Sequence, residues 1–415
     1  MSYFRINLYL PIKYFLLSFF ISEYEIKKQI NKKLKSFSKK KEITLTSQLR
    51  VGFILLLKYL KQKNPDKKDI IINSYNLAEM VNICKNLKLN IIFTKLNQNL
   101  FFSKKDLIKK INKNTLAIVS TNIFNTYLDS LELKKICNKK KIPLIEDNAI
   151  YFGNFKRKKG KKIYAGSFGD YALNSFNIMK NISAMYGGSV ATNDIKFSSF
   201  AEREIKKFKN FPFLKYLQQC IIYLILKTFS INFIYKIFFL KIIRKAHLNK
   251  NLSFLSLVYP SLKFKKQNLQ KYYFTKINRF SLKMIYLQLK DRDNFNRNHL
   301  SKKKNNIYYQ KTLSKLKIKG VSLLEYTDPS FQNYNDFPIK VKKKEKLVNY
   351  LFSKGIETKT VQYVDCQKIF KTKKSHTVLE EYENKILCLP NHRRISQKYI
   401  DYIVKCINTF YRSNK

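Results

Sequence analysis

Asp147, Ser175 and Lys180 are residues whose types and order could perform one kind of chemistry. Asp147 ends the apolar run IPLIED (142–147), and Ser175 ends the strand-like GDYALNSF (169–176). Lys180 follows five residues after Ser175, in a loop just before the Gly187–Gly188 pair. A carboxylate, a hydroxyl and an amine converging at one edge of a sheet suit pyridoxal phosphate (PLP). The carboxylate would keep the pyridine nitrogen protonated, making the ring an electron sink. The amine would form a Schiff base with the aldehyde, and the hydroxyl would hydrogen-bond the phosphate. Singly, each residue is ordinary: a lysine in a lysine-rich chain is usually solvated, and an aspartate or serine after a strand usually caps or turns. The ordered set across strand, loop and strand is much harder to produce by chance.

The flanking elements would place that set at a sheet edge. DIIINSY (69–75), NIIFTKL (90–96), TLAIVSTNIF (115–124) and IPLIED read as strands. LAEMVNICKNLKL (77–89), KKDLIKKIN (104–112) and SLELKKICNKKK (130–141) read as the helices between them. Repeated βαβ units predict a parallel sheet covered by helices on both faces, with ligands beyond the carboxyl ends of the strands. GDYALNSF and GGSVATN (187–193) add two strands, and a long Lys-rich helical region follows to about residue 315. NDFPIKV (335–341), KEKLVNYLFSKG (344–355) and IETKTV (356–361) then read as strand, helix and strand of a smaller domain. SQKYIDYIVKCINTFYRS (396–413) reads as an amphipathic helix capped by Ser396. No internal repeat is visible.

Composition narrows the class further. The chain has 415 residues, 45% of them hydrophobic, with 28 Tyr and 33 Phe, which excludes an intrinsically disordered protein. Only 9 Gly and 8 Pro exclude collagen-like or Pro-rich linker proteins. The cysteines (84, 137, 220, 366, 388, 406) are widely spaced and form no CxxC pair. That argues against a zinc module or a disulfide scaffold, and fits a reducing, cytoplasmic compartment. Lys and Arg number 83 against 27 Asp and Glu, a formal net charge of +56. Nucleic acid is the obvious partner for such charge, yet Lys far outnumbers Arg, the better fork for phosphates and bases. The excess also runs through every segment rather than one stripe. Lys, Asn, Ile, Phe and Tyr share A/T-rich codons, so genome composition explains the charge more simply, and no specific nucleic-acid binding is expected.

Residues 1–22 contain an apolar run, but no small-residue cleavage site follows, so no signal peptide is expected. In 211–243 the longest uncharged run, Tyr216 to Leu226, falls short of the ~20 residues of a spanning helix. Lys215, Lys227, Lys236 and Lys241 punctuate the segment. Two readings stay open: helices packed on the core or on a partner subunit, or an interfacial hairpin whose lysines snorkel towards anionic lipid headgroups.

IPLIEDNAIYFGN, followed by AGSFGDYALNSFNIMKNISAMYGGSVATND, resembles the DegT/DnrJ/StrS family of PLP-dependent sugar aminotransferases. FRINLYLP (4–11), INSYNLAEMVN (72–82), NDFPIKVKKKEKLVNYLFSKGIET and ILCLPNHRRIS (386–396) extend the similarity to most of the chain, apart from the hydrophobic block near 211–260. The resemblance implies an α/β, fold type I architecture: a mixed, mostly parallel seven-stranded sheet between helices, plus a smaller C-terminal α+β domain. Residues 1–300 would form the PLP-binding domain, with a hydrophobic helical insertion at about 211–260, and 301–415 the small domain. It implies that Lys180 is the Schiff-base lysine and the general base of the proton transfer, that Asp147 faces the pyridine nitrogen, and that Ser175 binds the phosphate. Thr46 and Ser47, ahead of a helix within 44–60, match the phosphate turn. Asn181 and Tyr186 would shape the lysine loop. Arg279, in NRFSLKMIYLQL (278–289), would reach the phosphate of the neighbouring subunit in a homodimer.

The departures from the family pattern are specific. Ile150 stands where a Gln or His usually contacts the cofactor ring, and Leu49 where the phosphate turn has Gly. The stacking aromatic would fall near Leu77, with Tyr75 as its stand-in, and Asn125 replaces a frequent Gly. The expected activity is transfer of an amino group, from glutamate, to a keto group of a nucleotide-linked sugar for cell-surface polysaccharide such as lipopolysaccharide. The alternatives are a PLP-dependent sugar dehydratase of the same fold, which the presence of Lys180 disfavours, and a degenerate or membrane-associated homologue without catalysis.

Overall fold

In the computed structural model, which describes residues 2–97, 101–123, 130–158, 160–249, 251, 253–255, 268–269, 273–324, 336–360, 363–371 and 377–413, the apolar runs fall at the centre of a sheet. The strands are β1 (Glu42–Thr46), β2 (Asp69–Asn73), the two-residue β3 (Tyr75–Asn76), β4 (Asn90–Thr94), β5 (Thr115–Thr121), β6 (Leu144–Asp147), a hairpin of β7 (Phe155–Lys158) and β8 (Lys161–Tyr164), β9 (Tyr171–Ser175) and β10 (Gly188–Thr192). Seven of them form one sheet in the order β1-β10-β9-β6-β5-β2-β4. The pairings from β9 to β4 are parallel, and β10 runs antiparallel to both β9 and β1. This is the mixed, mostly parallel sheet expected from the sequence. Every residue of β2, β5, β6, β9 and β10 is buried, because crossover helices cover a parallel sheet on both faces.

Helices Lys104–Lys110 and Ser130–Lys140 show how the covering works. Leu107, Leu133 and Cys137 pack with Phe101 and Phe102 onto Ile71, Ile118 and Leu144 of three adjacent strands. Ile72, fully buried next to Ile71 in β2, points to the opposite face of the sheet and reports on the core there. Ile72→Ala is expected to lower unfolding free energy by about 3 kcal/mol, read as a lower denaturant midpoint at unchanged slope.

The chain divides into two compact units. One comprises Leu8–Tyr223 and Lys266–Asn296 and holds the seven-stranded sheet. The other comprises Met1–Asn7, Leu224–Lys265 and Arg297–Lys415. The sequence expectation divided the chain at 300/301. Polar side chains account for the placement of the chain start and of part of the hydrophobic block in the second unit. Arg5 pairs with Asp336 at 3.2 Å and Glu357 at 3.6 Å, Tyr235 donates to Glu357 at 3.0 Å, and His392 Nε2 donates to the Phe4 carbonyl.

The second unit contains β11 (Val321–Leu323), β12 (Asp336–Val341), the two-residue β13 (Val364–Asp365) and β14 (Ile386–Pro390). Strands β11, β12 and β14 make an antiparallel sheet. Helix Lys344–Ser353 and the amphipathic helix Gln397–Ser413 follow their sequence patterns, and Ser396 Oγ accepts the Tyr399 amide as a cap. IETKTV differs from its expected strand: in 356–360 only Lys359 bridges to Cys388. Side chains hold the segment in place of a ladder, Glu357 through Arg5 and Tyr235, and Lys359 through Asp336 at 3.6 Å.

The hydrophobic block forms helix Phe213–Phe229, a short turn of helix Asn232–Ile234, a π-helical turn Tyr235–Phe239 and helix Leu240–Leu248. Among the described residues no single helix is long and apolar enough to cross a membrane. The two arms, bent by 81°, pass that test together by length and composition alone. Each arm packs one face inward: Tyr216 stacks on Phe280 and Tyr223 meets Phe15, while Tyr235 and Phe239 meet Phe4.

Candidate active site

The carboxyl ends of β2, β5, β6 and β9 share one edge of the sheet, joined there by the end of β1 and the start of β10. Thr46, Gly188 and Ser175 form one cross-strand row. Asp147 ends the next strand, β6, opposite Leu173 of β9. Adjacent strands lie about 4.8 Å apart, so the hydroxyls of β1 and β9 and the carboxylate of β6 occupy one rim.

Asp147 is buried, 6% exposed, and its Oδ1 accepts the Ala149 amide at 2.9 Å. Burial raises its pKa above the ordinary carboxylate range, while the Ala149 N–H and the charge of Lys180 pull it back. The charge of Lys180 reaches the Asp147 carboxyl and favours its ionised form, so the amine and the carboxylate of the sequence motif are neighbours. Lys180 is half-buried in the loop 177–186, where its amide closes a turn on Asn177 at 3.0 Å. Asn181 Nδ2 donates to the carbonyls of Phe152, at 2.9 Å, and Ile150, at 3.3 Å. The Lys180 loop is therefore tied to the loop that follows Asp147. Gln288 holds the other end, accepting from the Ser183 amide and donating to its carbonyl. Tyr186 meets Phe211 in a tilted contact with ring centroids 4.6 Å apart.

The helix Leu49–Lys63 starts at the same rim. Gln48 is its extended N-cap, and Thr46 Oγ1 donates to the Gln48 carbonyl at 2.8 Å. Ser47, fully buried, leaves its Oγ without a hydrogen-bond partner. A Cβ on Gly188 would lie 2.3 Å from the Leu49 amide nitrogen. The glycine that lets backbone pass close is on β10, which is how the helix start tolerates a leucine where the family pattern has Gly. Arg50 donates to the Tyr273 hydroxyl, at 3.4 Å, which in turn donates to Glu79.

Tyr75 is buried just beyond β2 and Leu77 caps the helix Ala78–Asn86. Ile150 is half-buried and offers only its carbonyl, to Asn181. Asn125 lies outside the described residues. Arg279 is placed apart from this set. It is exposed at the start of helix Arg279–Lys290, capped by Asn278, and opens onto a groove with Lys27, Ile43, Glu202 and Phe211.

Three residues at this rim escaped sequence reasoning. Ser74, Asn122 and Asn148 each directly follow a parallel strand, β2, β5 and β6, and all are buried. Ser74 Oγ, Asn122 Oδ1 and Asn148 Nδ2 have no partner, although Asn122 Nδ2 donates to Asn148 Oδ1. Their one signal in the sequence is their position, a single residue past a strand end, and they carry no charge to mark it. Buried polar groups are normally satisfied, so unpaired donors and acceptors gathered at strand ends fit a polar ligand. With a buried carboxylate, a neighbouring amine and the free Ser47 hydroxyl at a helix start, the donor set fits PLP.

The pattern of the DegT/DnrJ/EryC1/StrS aminotransferase family matches residues 12–215 and 263–408. The chain belongs to this family. Its members are PLP-dependent sugar aminotransferases, and the match leaves residues 216–262 outside the family pattern. The GDP-perosamine synthase of Vibrio cholerae is 30% identical over 158 residues, which is 38% of this chain and 41% of that protein. The chain thus spans about two fifths of the length of that relative. Helicobacter pylori PseC, an aminotransferase involved in the biosynthesis of pseudoaminic acid, superposes with a TM-score of 0.74 at 15% identity, covering 100% of both chains. The sugar aminotransferase CalS13 from Micromonospora echinospora gives 0.70 at 13%, covering 98% of each. At these identities the two structures show a shared fold.

Proposed function

We propose that this DegT-family chain transfers an amino group, from glutamate, to a keto group of a nucleotide-linked sugar, with PLP as cofactor, in the synthesis of cell-surface polysaccharide. The observation that carries the reading is the buried Asp147 carboxylate under the charge of Lys180, in a family of sugar aminotransferases. PLP supplies an electron sink and a carrier for the amino nitrogen. The residues of this chain supply the rest. Asp147 would keep the ring nitrogen protonated, and its burial strengthens that charge pairing. Lys180 would hold the cofactor, and its Nζ would take up and return the proton at the substrate carbon bearing the nitrogen. Ser175 and Ser47 would bind the phosphate beside the helix start, whose dipole favours an anion, and Thr46 would join them once its hydroxyl turned from the Gln48 carbonyl. Tyr75 would flank the ring. The tie from Asn181 to Phe152 would keep the lysine loop beside the Asp147 loop.

A homodimer in which Arg279 serves the neighbouring subunit's phosphate completes the site. A peripheral contact with a lipid surface through 211–243 is a further part of this reading.

The test is a titration of the purified protein with PLP, followed by glutamate and a panel of nucleotide-linked keto sugars. A visible absorption band and 2-oxoglutarate formed in step with an amino sugar are expected. A band without turnover on any sugar would instead favour the non-catalytic homologue, which Ile150 supports because an apolar side chain cannot replace the usual polar contact. Ser47→Ala separates binding from folding. It removes an unpaired buried hydroxyl, so stability without cofactor should hold or rise. PLP affinity should fall about ten-fold, the worth of one charge-assisted hydrogen bond, measured by fluorescence titration.

A further inference from the structure

The two arms of the hydrophobic block are apolar on the side that faces outward as well as on the side that packs inward. In helix Phe213–Phe229 the buried positions recur at 216, 220, 223 and 226. A second stripe at helical spacing, Leu214, Leu217, Ile221 and Leu224, lies exposed, with Leu214 at 78%. Beyond the bend, Tyr235, Phe239, Ile243 and Ala246 are buried, while Phe233 and Phe238 stand 71% and 59% exposed. Lys236, Lys241, Arg244 and Lys245 are exposed on the same arm. An ordinary surface helix turns a polar face to water; the first arm instead exposes an apolar stripe, and the second mixes exposed Phe with cations. No acidic residue occurs anywhere between Glu204 and Asp291, so nothing there repels an anionic surface. Most of the block also lies in the 216–262 gap of the family match, which frees it from the duties that the family fold imposes.

We infer that these two arms dock on an anionic lipid surface, the exposed apolar side chains entering the acyl boundary and the lysines and arginine meeting the headgroup charge. This rests on the peripheral contact proposed above and adds the lipid class and the side chains that make it. Apolar area and electrostatic attraction add in such binding, and each basic residue near the surface contributes separately. A second copy of this chain is the other candidate occupant. The exposed cations beside Phe233 and Phe238 on the second arm, with no carboxylate in the segment to pair them, favour lipid over a self-complementary protein face.

Vesicle flotation of the full chain tests this, with phosphatidylcholine vesicles, or the same vesicles containing phosphatidylglycerol. Flotation with the anionic vesicles alone is expected. It should weaken when salt rises from about 0.1 M to about 1 M, which cuts the screening length from about 10 Å to about 3 Å. Leu214→Gln/Leu217→Gln/Ile221→Gln, and separately Phe233→Gln/Phe238→Gln, change exposed positions and should each lower the bound fraction about ten-fold. Lys236→Glu/Lys241→Glu/Arg244→Glu should do the same without altering the PLP titration. Equal flotation with neutral vesicles would overturn the anionic class while leaving a peripheral contact. No flotation with either vesicle would overturn both. Apolar variants that bind vesicles normally but dissociate an oligomer in light scattering would reassign the face to a second copy.

Discussion

Lys180→Ala will remove the visible absorption that PLP gives on binding and will lower transamination by at least about 10³-fold, since the covalent attachment and the proton carrier are lost together. Absorption spectra of the two proteins with PLP, read beside 2-oxoglutarate formation, check this. The variant should fold normally: Lys180 is half-buried in a loop whose anchors, Asn181 to Phe152 and Ser183 to Gln288, do not involve its amine. Lys180→Arg keeps the positive charge near Asp147 but cannot form the same bond, so it should fail as fully as alanine. An unchanged spectrum in Lys180→Ala would show that the amine of another lysine carries the cofactor and would remove the basis of the functional proposal.

Asp147→Asn should act oppositely on stability and on turnover. Burial raises this carboxyl's pKa above its unfolded value, so the native state keeps the proton to higher pH than the unfolded chain does. The stability contributed is fully present below the unfolded pKa and is lost as pH rises through the folded pKa. At pH above that folded pKa the cofactor-free protein bears a buried carboxylate, whose cost the Ala149 N–H and the charge of Lys180 reduce. Asparagine keeps the acceptor for Ala149 and removes the charge. Cofactor-free Asp147→Asn should gain about 1 kcal/mol, and its stability should lose part of the fall with rising pH. Turnover should drop about 10²- to 10³-fold, because a neutral amide cannot hold the ring nitrogen protonated. Thermal unfolding across pH without cofactor, and steady-state rates with it, are the two measurements. A variant less stable than the parent at every pH would show that Asp147 serves the fold.

The sheet was legible from residues 69–193 because fully buried parallel strands leave continuous apolar runs such as DIII and TLAIV, broken by capped, amphipathic helices. The strand ending at Asp147 was legible as a short apolar run, and the rule that ligands gather beyond the carboxyl ends of parallel strands is what singles out Asp147 and Lys180 as candidates. Ser74, Asn122 and Asn148 were not: uncharged residues one step past a strand look like turn formers until their burial and missing partners are seen. IETKTV misled because alternation is shared by a true strand and by a segment pinned through its polar side chains, and only Arg5 and Asp336, more than three hundred residues apart, distinguish the two. The path of the chain start was invisible for the same reason: the ion pairs of Arg5 are long-range and leave no local pattern.

The bonds from Asn181 to the Phe152 and Ile150 carbonyls act as a latch between the two segments that bear opposite charge. Because the latch uses main-chain acceptors, it is indifferent to which side chain occupies 150, so a family-typical glutamine or histidine could be put back there without slackening it. The spacing of the Lys180 and Asp147 loops is thereby set independently of the side chain at 150, and one can drift while the other stays fixed.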